Sequence, residues 1–290
     1  VPDIWALAAI VSKALLYFGI LTSSGLVLNR FVFAAEVAAV LPVMRKLAIV
    51  CACLGICAAG VSFALRGAAL TGDASGLTDP EMLGLMWQTP VGTALLLRVI
   101  GLSLMLVGLL FGGLGWGLAA LGALTALWSF TTIGHVSAGV SLWAKPVLVM
   151  HLLVVAFWIG VLLPLQRLVG TSGDRELAGQ LGHRFGQIAA VIIPCLIIAG
   201  LVLGWLLVGT WTNLFTTPYG LNLIGKLCLV TGLLGLGAWH KLRAVPNLIS
   251  GQAQAAAHLS RTLKVEWFLF WAVLLATATL TTLFAVPEAH

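Results

Sequence analysis

Apolar residues run along this chain in stretches too long for the elements of a soluble core. They lie near 4–27, 46–68, 90–111, 113–134, 145–167, 185–208, 219–240 and 265–286. Each reaches the roughly 20 residues that a helix needs to cross a bilayer. The runs are continuous rather than alternating, which excludes a β-barrel. The pattern predicts an all-α integral membrane protein, an eight-helix transmembrane bundle. The third and fourth stretches are separated only by the glycine-rich Phe111-Gly-Gly-Leu-Gly-Trp116.

Composition leaves little room for anything else. Of 290 residues, 61% are hydrophobic and 8% charged, with a mean hydropathy of +1.11. A soluble domain carries about 25% charged residues. One transmembrane domain over residues 1–290 is therefore expected. The net charge of +6 does not point to nucleic acid, because the basic residues gather at helix ends. Arg30, Arg45 and Lys46 follow the first stretch. Arg167, Arg175 and Arg184 follow the fifth, and Lys241, Arg243, Arg261 and Lys264 the seventh. The alternate loops hold only Arg66 and Lys145. By the positive-inside rule this asymmetry puts both termini outside.

The two halves, about 1–134 and 135–286, share landmarks in order. Thr89-Pro-Val-Gly92 with Arg98 opens the third stretch, and Thr217-Pro-Tyr-Gly220 with Lys226 opens the seventh. Leu28-Asn-Arg30 closes the first, and Leu165-Gln-Arg167 the fifth. Ala59-Gly60 lies in the second, and Ala199-Gly200 in the sixth. Four spans per half is an even number, so the bundle is expected to be two parallel four-helix repeats. Aligned on the closing arginines with a one-residue slip, Lys13 falls where His151 falls.

His135 and His151 are the leading candidates for chemistry. His135 ends the fourth stretch. Pro146 suits the first turn of the fifth helix, which puts His151 about 8 Å below the helix start at the usual rise per residue. The short linker makes the two helices neighbours. An imidazole in hydrocarbon is costly unless it has a partner or a task, and neutral imidazole binds copper, zinc or haem iron. The bland alternative is a pair of helix-end histidines bonded to backbone or headgroups. Met82 and Met86 are four apart, on one face of a helical turn, and thioether sulfur suits Cu(I). Plain packing is the alternative for them, as it is for Cys53 and Cys57. The five cysteines (Cys51, Cys53, Cys57, Cys195 and Cys228) suggest small buried hydrophobes rather than disulfides. Lys13, Arg98 and Lys226 are buried cations that can snorkel, bond to carbonyls or hold an anionic group.

His183, His240 and His258 read as structural, with His240 expected to be a cation at the C-terminus of the seventh helix. Glu266 is expected at the inner edge of the last stretch, which leaves no carboxylate inside any span and no visible carboxylate proton relay. There is no Walker A loop, no Gly-x-Ser-x-Gly and no His-Glu-x-x-His, so ATP-driven pumping and hydrolase chemistry have no foothold.

At these residues the chain resembles the copper resistance protein D family, the CopD inner-membrane proteins. The likeness is carried by Gly134-His135, and by His151-Leu-Leu with Phe157-Trp-Ile-Gly160 and Leu163-Pro-Leu165. It continues through Thr217-Pro-Tyr-Gly220 with Lys226, and Lys241-Leu-Arg243-Ala-Val-Pro246. It ends on Leu259-Ser-Arg-Thr262, Glu266 and Ala276-Thr-Ala-Thr-Leu-Thr-Thr282. It covers most of the chain and is densest from 130 to 286. It implies a bacterial inner-membrane copper protein, often working beside a periplasmic CopC-type copper-binding partner, with the family's motif histidines at His135 and His151. Where many relatives have asparagine, this chain has His240.

Three functions follow as expectations. The first is copper binding at the periplasmic face and transfer inward. The second is a b-type haem redox protein, using His135 or His151 with cations for the propionates. The third is a structural or assembly subunit whose histidines are incidental.

Overall fold

The computed structural model describes residues 3–133 and 143–284. Helices dominate, and their ends follow capping chemistry. Helix α1 (Ile4–Val32) starts at Asp3, whose carboxylate accepts from Ala6 N at 2.7 Å. Helix α2 (Leu41–Thr71) has a proline in its first turn and ends at Gly72 with φ +81°. A short α3 (Pro80–Trp87) is capped by Asp79. Then come α4 (Pro90–Phe111), α5 (Gly115–Trp128), α6 (Ala144–Gly170) and α7 (Arg175–Val208). A short α8 (Trp211–Thr216) precedes α9 (Pro218–Trp239). One π-helical turn, His240–Ala244, joins α9 to α10 (Val245–Ile249), and α11 (Ala255–Leu283) ends the described chain.

The two Thr-Pro-x-Gly sequences do the same local work. Thr89 accepts from Val91 N and Thr217 from Gly220 N, and a proline opens each helix. Proline suits the first turn because its missing N–H has no partner there in any helix. In each case the glycine lies against the short helix before it. A Cβ at Gly92 would stand 2.1 Å from Trp87 O, and one at Gly220 would stand 2.3 Å from Leu214 O.

Among the described residues, seven segments are long and apolar enough to cross a membrane: Ile4–Val32, Ala38–Thr71, Pro90–Phe111, Ala144–Gly170, Ser172–Val208, Pro218–Ile249 and Ala255–Leu283. The expected fourth span over 113–134 is shorter. It is the 14-residue α5, continued by a 3-10 turn at Ser129–Thr131. It runs back along α4, with Gly101 against Gly122 and Ala126, and Gly108 against Gly115 and Ala119. Large apolar side chains such as Phe111, Val191 and Phe268 stand exposed on the outside, where lipid rather than water satisfies them. This is a multi-pass membrane protein.

Helix α1 is central, packing on α2, α5, α6 and α11. Its contact with α6 is backbone on backbone: a Cβ at Gly25 would stand 1.9 Å from Ala156 O, and one at Gly160 2.3 Å from the Gly25 carbonyl carbon. Asn29, fully buried, locks the pair by donating to Gly25 O at 2.7 Å and Phe157 O at 2.9 Å. Such close approach of small residues is how helices associate where no water drives them together.

Gly25→Val is therefore expected to wedge α1 away from α6, at about 1–3 kcal/mol or more by overpacking. Gly60→Ala, where a Cβ meets nothing within 4 Å, is expected to change stability little. Thermal unfolding in detergent checks both, and equal midpoints for the two variants would contradict the tight contact.

Candidate metal site

Alternation of the helices places the starts of α1, α4, α6 and α9 at one end of the bundle, here called the N-terminal end. The opposite, basic end carries Arg30, Arg45, Arg167, Arg175 and Lys241. His151 lies on α6 near the N-terminal end. Its imidazole packs over α7, with Cε1 3.5 Å and Nδ1 3.9 Å from the position a Cβ at Gly200 would take. The lack of a side chain at Gly200 makes room for the ring. Nδ1 is buried without a hydrogen bond in standard geometry, and the ring interacts with the backbone of Leu196. Lys226 of α9 lies within electrostatic range.

The other sequence candidates fall in different places. His135 lies outside the described residues. Met86 is buried against α2, its methyl 3.6 Å from a Cβ position at Gly67, and Met82 is half-buried one turn earlier on α3. Helix α3 packs on α2 and α4, whereas α6 packs on α1, α7 and α11. The methionine pair and His151 thus sit on separate helix groups. The five cysteines are free thiols, and Cys53 and Cys57 are exposed on the apolar exterior. Among the described residues no group of three or more His, Cys, Asp and Glu converges as a metal cluster.

The buried cations separate into two environments. Lys13 donates to Thr281 O at 3.0 Å and Oγ1 at 3.3 Å, which Tyr17 also meets at 3.2 Å. Arg98 donates to Ser129 Oγ at 3.2 Å and lies 5.2 Å above the Phe130 ring. These two, with Arg66, share one neighbourhood. Lys226 belongs instead with His151.

The basic end adds two things to the sequence reading. Glu266 lies well inside α11, which begins at Ala255, and is buried. The chain continues past His240 through the π-helical turn, and the His240 ring is buried. The two residues meet. His240 Nδ1 lies 3.0 Å from Glu266 Oε2, His240 Nε2 lies 2.8 Å from Thr262 Oγ1, and Trp158 Nε1 donates to Glu266 Oε1 at 2.6 Å. The network borders a cavity of about 220 Å³. One sequence signal pointed here. Trp158 is a mid-span indole, and a buried indole N–H requires an acceptor.

The haem reading gains no support from this arrangement. His151 and His240 lie toward opposite ends, and both nitrogens of His240 face protein groups.

Two family descriptions match the chain: Copper resistance protein D-like, N-terminal domain, over residues 3–144, and Copper resistance protein D over residues 179–280. The chain belongs to the copper resistance protein D family. A relative, "Copper transport protein CutJ" of Bacillus subtilis (strain 168), is 32% identical over 142 residues. That match covers 48% of this chain but only 25% of CutJ, so the chain spans about a quarter of that relative's length. No solved structure matches the chain.

The Trp158–Glu266 bond makes a prediction of its own. Trp158→Phe strands a buried carboxylate oxygen, at about 1–3 kcal/mol. The same change in a Glu266→Gln background is expected to cost less, because the acceptor is then neutral. A double-mutant cycle by thermal unfolding reads the coupling, and strict additivity would show that the bond contributes nothing.

Proposed function

We propose that this protein takes copper from the periplasmic side of a bacterial inner membrane and moves it toward the cytoplasm, with His151 and His135 as its entry ligands. The observation that carries the reading is the buried, unpartnered Nδ1 of His151 inside a membrane helix of a copper resistance protein D family member. A polar nitrogen held in hydrocarbon without a bond is unfavourable unless a ligand completes it. Two imidazoles can hold Cu(I) linearly, and Met82 or Met86 would tighten the site if α3 moved toward it. The printed name of CutJ, a copper transport protein, agrees with this.

The architecture proposed around the site is eight crossings in two parallel four-helix repeats, within one transmembrane domain of residues 1–290. Supporting it are the paired Thr-Pro-x-Gly caps, the return of α5 along α4, and the packing of the first helices of the two halves, α1 and α6, on each other. Both termini are then periplasmic by the loop asymmetry of Lys and Arg. A periplasmic CopC-type protein is the proposed donor partner.

Copper binding to purified protein tests the site. His151→Ala is expected to weaken it about 10-fold or more, the scale of even outer-shell losses, with helicity unchanged. His183→Ala is expected to leave it intact. Full stoichiometry and affinity in both His135→Ala and His151→Ala would remove the assignment. Orientation is tested separately. In a cysteine-free background, Ser172→Cys and Gly251→Cys are expected to resist impermeant thiol reagents in intact cells, and labelling of either would invert the topology.

A further inference from the structure

At the basic end, the sequence produces a feature that copper entry at His151 does not use. Pro246 cannot donate a backbone N–H, and its ring crowds the carbonyl four residues back. The helix widens there into a π-helical turn, in which Val245 N bonds to His240 O. Such turns are frequent at functional sites. This one turns His240 inward toward Glu266, whose side chain is almost wholly buried and whose Oε2 has no hydrogen bond in standard geometry.

The separation of 3.0 Å between His240 Nδ1 and Glu266 Oε2 constrains the protons. Two lone pairs would repel at that distance, and a proton on Nδ1 relieves the repulsion. Thr262 fixes the other nitrogen. Its hydroxyl is 2.8 Å from His240 Nε2, and also 3.0 Å from Leu259 O and 3.1 Å from His258 O. It can donate to the imidazole, or it can turn to a helix carbonyl and accept from the imidazole. The first arrangement suits a neutral ring, the second a protonated one.

We propose that Glu266 and His240 form a proton-binding site, with Thr262 as its hydroxyl rotor. In the deprotonated state Nδ1–H donates to the carboxylate and Nε2 accepts from Thr262. An incoming proton forms the Nε2–H bond. Thr262 keeps its own proton and swings it to Leu259 O or His258 O, accepting from Nε2 in return. The pair goes from net −1 to neutral, and no other bond is made or broken. Trp158 Nε1 holds Oε1 throughout. The adjoining cavity, about 220 Å³ and bordered by both residues, has space for water to deliver the proton.

Few other charges face the pair. From α6 the neighbour is Trp158. Helices α7, α9 and α10 line the cavity with Gly182, Phe185, Ala189, Leu234, Gly237 and Val245, none of them charged. Lys241 is the one other charged residue on the cavity wall, its chain lying over Gly186. Buried carboxylate–imidazole groups of this kind serve as proton relays in membrane transporters.

The test is infrared difference spectroscopy of the copper-free full chain in lipid, titrated from acid to alkaline buffer. Its outcome does not depend on whether His151 binds copper. The wild type is expected to show coupled carboxyl and imidazole changes that Glu266→Gln removes. That variant keeps an acceptor for Trp158, so its helicity and melting curve are expected to stay close to wild type. Thr262→Val, which removes the rotor, is expected to move the midpoint by roughly 10-fold in proton concentration, the effect of about one hydrogen bond. A wild-type spectrum without these changes, or the same changes persisting in Glu266→Gln, would overturn the proposal.

Discussion

Inside hydrocarbon there is no water to complete a hydrogen bond, so each polar group within the spans must find its partner in the protein. That constraint accounts for most of the polar contacts here. Asn29 spends its amide on two backbone carbonyls across the α1–α6 contact. Serine and threonine hydroxyls turn back to carbonyls three or four residues earlier, as Ser23, Thr231 and Thr277 do. Arg98 uses Ser129 and the face of Phe130. Where the rule holds, the group is structural. Several buried polar atoms lack a hydrogen bond, among them Thr22 Oγ1, Asn29 Oδ1, His151 Nδ1 and Glu266 Oε2; at the last two, an imidazole nitrogen and a carboxylate oxygen, a ligand or a proton can complete the group.

The same constraint divides the bundle into two working ends. Toward the N-terminal end stand His151, Lys226 and the Lys13–Arg66–Arg98 group, which has no carboxylate among its described neighbours. At the basic end the only described buried carboxylate inside a span meets the only histidine placed to share its proton. The proposed copper ligand and the proposed proton site thus lie toward opposite ends, with Trp158 two helical turns below His151 on the same helix.

Much of this was legible in the sequence. The stretches near 90–111 and 219–240 coincide with α4 and α9 almost to the residue, because Thr-Pro-x-Gly is an explicit start signal. Most of the others overrun their apolar cores. Helix α7 begins at Arg175 rather than near 185, and α11 at Ala255 rather than near 265. Helices that project past the bilayer carry charged residues that hydropathy reads as loop. That is why Glu266 looked marginal, and why its pairing with His240 was missed. The π-helical turn was also invisible, since Pro246 signals an ending more readily than a widening. The glycine-rich break at 111–116 was correctly a turn, but the helix after it is shorter than its apolar run.

The claim that binds the account together is that the unpartnered nitrogen of His151 is a copper ligand. Copper K-edge X-ray absorption of the loaded protein reads the ligand atoms directly. Imidazole scattering around the metal is expected, reduced when His151 is replaced by alanine. A sulfur-only shell, unchanged in that variant, would contradict it.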